Sequence, residues 1–154
     1  MRRFSEKNET PFTPAVPLIY ALDEALKIIR EEGLEERFKR HKLCSGTFYD
    51  AFETMGLEIF PEREVRSPTV IALKKPAEVD NSRVREIMKE RYNVVIAGGA
   101  GKLKEDLFRI GCMGTISEAS VLQTIAALGN ALTDVGYTVN TREGIEAAIQ
   151  RFHK

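Results

Sequence analysis

Apolar residues recur along the chain in two rhythms. After an opening stretch marked by Pro11, Pro14 and Pro17, residues Leu18, Leu22, Ala25, Leu26 and Ile29 fall at i, i+4, i+7, i+8 and i+11. That spacing is one stripe of a helix. Pro17 suits its first turn and Gly33 its stop. A second helical run begins at Leu34, sets Leu34, Phe38, Phe48, Phe52 and Met55 near one face, and ends at Gly56. Gly46 lies inside it at a cost of about 1 kcal/mol relative to Ala, which predicts close packing there.

The rhythm then shortens. Leu57–Phe60 alternates and stops at Pro61, and Thr69–Leu73 is rich in β-branched residues; both read as strands. Asp80 or Asn81 can cap a third helix carrying Val84, Ile87 and Met88. Val94–Ala97 reads as a buried strand and leads into the glycine-rich loop Gly98-Gly99-Ala100-Gly101. Leu107–Ile110 reads as a further strand. Ser117 can cap a long helix bearing Val121, Leu122, Ile125, Leu128 and Leu132, and Thr141 a last one with Ile145, Ala148, Ile149 and Phe152. Adjacent strands with short connections predict an α/β chain of the α+β type, with a small, mostly antiparallel sheet and helices packed on one face. Residues 1–16 read as an extended arm and residues 17–154 as one domain.

Composition narrows the classes. The chain has 154 residues, with 23 basic and 23 acidic side chains. It is long enough for a core of its own, and its balanced charge supplies no field for nucleic acid. No apolar run approaches the ~20 residues of a membrane span. Cys44 and Cys112 are the only cysteines. Two lone thiols and no secretory signal predict a cytoplasmic location.

Few residues invite chemistry. Backbone amides of Gly98, Gly99 and Gly101 can line a ligand cleft or simply close a tight turn. Lys102 is followed by Leu103 and not by Ser or Thr, so the loop is not a P-loop. Arg109 interrupts an apolar strand. Alternation puts Phe108 and Ile110 on one face and Leu107 and Arg109 on the other. A guanidinium there either meets solvent or grips a carboxylate two-pronged. No group of His, Cys, Asp and Glu has metal-ligand spacing, so no metal is expected. Cys112 follows the Arg109 strand and can face the same cleft, without a nearby His to activate it.

Two blocks carry a family resemblance. The first is Thr10-Pro11-Phe12-Thr13-Pro14-Ala15-Val16 with Tyr20-Ala21-Leu22 and Glu32-Gly33-Leu34-Glu35. The second runs from Ile96 through the glycine loop to Phe108-Arg109-Ile110-Gly111-Cys112-Met113-Gly114. From about Asn8 to the last helix, the chain resembles the C-terminal small domain of class V pyridoxal-phosphate aminotransferases. The nearest branch looks like the serine–pyruvate and alanine–glyoxylate enzymes, including relatives labelled soluble hydrogenase small subunit.

The resemblance implies that Arg109 binds the substrate α-carboxylate. It also implies that Thr13 contacts the phosphate of pyridoxal phosphate across a dimer, and that Thr10, standing where the family often has Tyr, lies beside it. Cys112 occupies a position that is commonly His. The family's large domain, with its Schiff-base lysine, has no counterpart in these residues. The implied partners are therefore a small amino acid and a 2-oxo acid, a large-domain chain, and a second copy in a homodimer or other homo-oligomer. No catalytic residue is expected within the chain, and the chain alone is expected to be inactive. The competing reading is a stand-alone, non-catalytic domain that binds a small molecule or a protein.

Overall fold

The computed structural model describes Glu6, Lys7, Thr10 and residues 12–154. The chain divides into two compact units after Phe38.

The first unit contains α1, Val16–Glu32. Pro17 sits in its first turn, and the positive φ of Gly33, 84°, ends it as the glycine N–H bonds back to Ile29 O. Lys27 pairs with Asp23 one turn earlier at 2.9 Å. The apolar stripe forms as its spacing predicts, yet α1 buries none of its residues. The unit boundary falls inside α2, Leu34–Thr54. Leu34 and Phe38, at the start of α2, remain exposed.

The second unit holds the core. From α2 come Cys44, Phe48, Ala51 and Phe52. Phe48 and Phe52, one turn apart, stack with ring centroids 5.6 Å apart. Three strands follow: β1, Val70–Lys74, β2, Ala97–Gly98, and β3, Leu107–Gly111. They form an antiparallel sheet in the order β1-β3-β2. Ile71 pairs with Ile110 and Leu73 with Phe108, and these four make one buried apolar face. The helices α3, Asn81–Tyr92, α4, Glu118–Asp134, and α5, Thr141–Phe152, complete the core with Val84, Met88, Val121, Ile125, Leu128 and Ala148.

Local chemistry sets several boundaries. Asp80 caps α3, its carboxylate accepting from the amides of Ser82 and Arg83. Ser117 caps α4 by accepting from Ser120 N–H. Gly46 is tightly packed: a Cβ there would collide with the Arg151 guanidinium from α5.

Three boundary expectations change. Leu57–Phe60 is not a strand. The chain has only the space between Gly56, at φ 81°, and Pro61, so a single bridge from Ile59 to Leu73 forms. Val94–Ala97 is not a buried strand either. Asn93 ends α3 in the left-handed region, and Val94–Ile96 steps from the helix to the sheet, leaving Val95 exposed and pairing only from Ala97. At α5 the cap position is Asn140, whose side chain makes no capping bond to the helix backbone. Thr141 instead presses on Gly129 of α4, where a Cβ would collide with it.

Candidate substrate-carboxylate site

Arg109 occupies the middle of the central strand, on the face opposite the Ile71–Ile110 and Leu73–Phe108 pairs. Its cross-strand neighbours are both alanines, Ala72 on β1 and Ala97 on β2. Such short side chains leave room for a guanidinium to turn along the sheet. The Nε of Arg109 donates to Gly98 O at 2.7 Å, and Nη2 makes a longer approach to Gly99 O at 3.5 Å. The half-buried guanidinium therefore lies against the glycine loop. Among the described residues it has no carboxylate partner. Arginine carries five N–H donors in a rigid fork, so most of them are left for another acceptor.

The loop is built to hold that arginine. Gly99 N–H donates to Lys104 O at 2.9 Å, and Leu103 N–H to Ala100 O at 3.1 Å. A Cβ on Gly99 would collide with the Leu103 carbonyl, and Gly101 has a φ of 55°. The amides of Gly99, Leu103 and Lys104 are thus spent inside the loop. Toward Arg109 the loop presents carbonyls, which suit a cation and not a phosphate.

Asn81 supports the same loop and was not singled out for this by its position in the sequence. It is 2% exposed. Its Nδ2 donates to Leu107 O at 2.8 Å and to Glu105 O at 3.3 Å, while Oδ1 accepts from Arg85 Nε at 2.7 Å. Its acceptors lie 24 and 26 residues downstream, beyond any local pattern. Arg40 is a second such support. Its guanidinium donates to Ile116 O at 2.8 Å and Gly114 O at 3.2 Å, holding the turn that follows β3.

Thr10 and Thr13 belong to the first unit and are exposed. Thr10 Oγ1 donates to Phe12 O at 2.6 Å. Thr13 lies in the irregular segment before α1. Cys112 does not face a cleft. It is fully buried, its N–H donating to Thr69 O at 2.8 Å. Burial pushes its thiol up to about 11, with Cys44 adding to the rise and Arg40 opposing it. A thiol so held stays protonated and is no nucleophile.

No family model matches the chain. Individual proteins do. An uncharacterized aminotransferase of Methanocaldococcus jannaschii is 41% identical over 145 residues, which are 94% of this chain and 37% of that protein. The serine–glyoxylate aminotransferase of Arabidopsis thaliana is 36% identical over 90% of this chain and 35% of its own length. The crystal structure of pyridoxamine–pyruvate aminotransferase from Mesorhizobium loti superposes with a TM-score of 0.89 at 34% identity, over 94% of this chain and 37% of that one. The chain thus spans little more than a third of the length of the relatives it matches. Sequence and fold together make the chain a homologue of the class V aminotransferases, matching their C-terminal region.

Proposed function

We propose that this chain is the substrate-orienting part of a pyridoxal-phosphate transaminase, which moves an amino group from alanine or serine to glyoxylate or pyruvate. The observation that carries this reading is Arg109, fixed through Nε by Gly98 O and without a carboxylate of its own among the described residues. A guanidinium held on one edge and open on the other can accept a substrate carboxylate bidentately. The grip fixes the rotation of the substrate about its Cα, and so selects which Cα bond faces the cofactor ring.

Pyridoxal phosphate, when bound, supplies the electron sink that spreads the charge left as the Cα proton departs. Thr13 and Thr10 are the residues of this chain proposed to hold its phosphate. Both carry exposed hydroxyls, which donate well to phosphate oxygens. The Thr10 proton is already given to Phe12 O, so Thr13 is the stronger donor of the two.

The lysine and the ring-binding residues belong to the large domain in this reading, supplied by another chain or by a further segment of the protein. This chain alone would then orient a substrate without transforming it. The experiment compares the chain alone with the chain joined to a large domain of the same family, using alanine or serine with glyoxylate or pyruvate. Amino transfer only in the joined form is the expected result. Transfer by the chain alone, or none in a joined form that folds and binds cofactor, overturns the reading.

A further inference from the structure

A second basic site lies within the second unit, between α2 and the turn that leads into β1. A cavity of about 330 Å³ is bordered there by four basic side chains, Lys42, Arg63, Arg66 and Arg151, against one carboxylate, Asp50. Gly46 allows the Arg151 guanidinium to lie on the α2 backbone. Arg151 pairs with Asp50. Arg66 spans the Tyr49 ring, its Cζ 5.0 Å from the ring centroid, and pairs with Glu53 at 2.6 Å. Tyr49 is itself fixed, donating to Ser67 O at 2.9 Å.

These pairs leave donors over. The Nε atoms of both Arg66 and Arg151 are buried without a hydrogen-bond partner among the described residues. A buried N–H left unpaired forfeits its hydration and gains nothing in return, and both of these under-satisfied arginines line the cavity. With Asp50 and Glu53 counted, positive charge still exceeds negative. Lys42 and Arg63 stand exposed at the opening, able to close on a ligand. A single carboxylate would neutralise only part of that excess. A tetrahedral dianion offers acceptors in several directions and matches the charge.

We propose that the cavity lined by Arg66, Arg151, Lys42 and Arg63 binds a phosphate-type dianion, either free phosphate or the phosphate group of a small molecule. The test titrates inorganic phosphate into the full chain at ionic strength held constant with sodium chloride, read by calorimetry and by thermal unfolding, with acetate as the carboxylate control. Saturable phosphate binding that raises the melting temperature is expected, with no comparable effect of acetate. The paired substitution Lys42→Gln and Arg63→Gln alters exposed side chains only, so the fold persists while affinity falls by about tenfold. Arg151→Gln removes one of the four cationic groups that line the cavity and should also weaken phosphate binding. A shift that chloride or acetate reproduces overturns the proposal. So does phosphate binding that both variants retain in full, since the ion would then be held elsewhere on the chain.

Discussion

A guanidinium that gives one N–H to Gly98 O keeps its outer edge for another acceptor. Lysine at the same position would keep the charge but offer a single point donor. In an assembled transaminase, Arg109→Lys should therefore cost about 1.5–3 kcal/mol, or roughly 10- to 150-fold in kcat/KM. The loss should be large for alanine and small for an amine of similar size that lacks the carboxylate. Equal losses for both would mean that Arg109 supports the sheet and reads no substrate. Cys112 makes a separate prediction in pH. Its thiol ionises near 9.0 when exposed and only at about 11 in the fold. Below pH 9 both states are protonated and the residue adds no pH dependence. Between pH 9 and 11 the unfolded chain loses the proton that the folded chain keeps, so stability falls as pH rises. Cys112→Ala should flatten that alkaline decline in urea titrations. The native thiol should also resist alkylating reagents until the chain unfolds; rapid labelling of the folded chain would contradict its burial.

The β2–β3 loop shows how an element depends on residues outside it. Asn81→Ala strands Leu107 O and removes the acceptor of Arg85 Nε, at a cost of about 1–3 kcal/mol. Amide exchange at Leu103–Leu107 should quicken in that variant. Asp80→Ala, which removes only a helix cap, should cost about 1 kcal/mol and leave exchange in the loop unchanged; the same exchange pattern in both variants would deny Asn81 this role. Much at this scale was legible beforehand. The 3.6-residue spacing marked the five α-helices of the described residues, and short capping side chains at Asp80 and Ser117 marked two of their starts. The alternation around Arg109 put it opposite Phe108 and Ile110, because a strand's faces follow from parity alone. What escaped were features settled by distant partners. Leu57–Phe60 has the composition of a strand, but the chain around it leaves room for one bridge. Asn81 looked like a cap, and its actual acceptors lie at the end of the β2–β3 loop and the start of β3. The Asp50–Arg151 pair joins residues 101 positions apart, and no local pattern predicts such a meeting. The roles proposed for Thr13 and Arg109 rest on family resemblance, since an exposed threonine and a strand arginine have no signature of their own.

At the scale of the whole molecule, the chain presents an apolar ridge. Leu18, Leu22 and Leu26 on α1 are 71%, 58% and 51% exposed. They stand one turn apart on a single line, with Ile19 beside them. Isolated apolar side chains on a surface are ordinary, but a continuous ridge of this length marks a surface that meets a partner. The relatives are more than twice as long as the part matched here. When the chain is studied by itself, that ridge should find a second copy, because association removes the same apolar area from water whichever partner supplies the cover. The expected outcome is mass that rises with concentration in light scattering, and a melting temperature that rises with it. Leu22→Glu with Leu26→Glu keeps helix propensity and breaks the ridge. That variant should stay monomeric with the second unit's unfolding unchanged. A parent chain that is monomeric at high concentration would show that α1 is content in water, and the ridge would lose its meaning as a docking face.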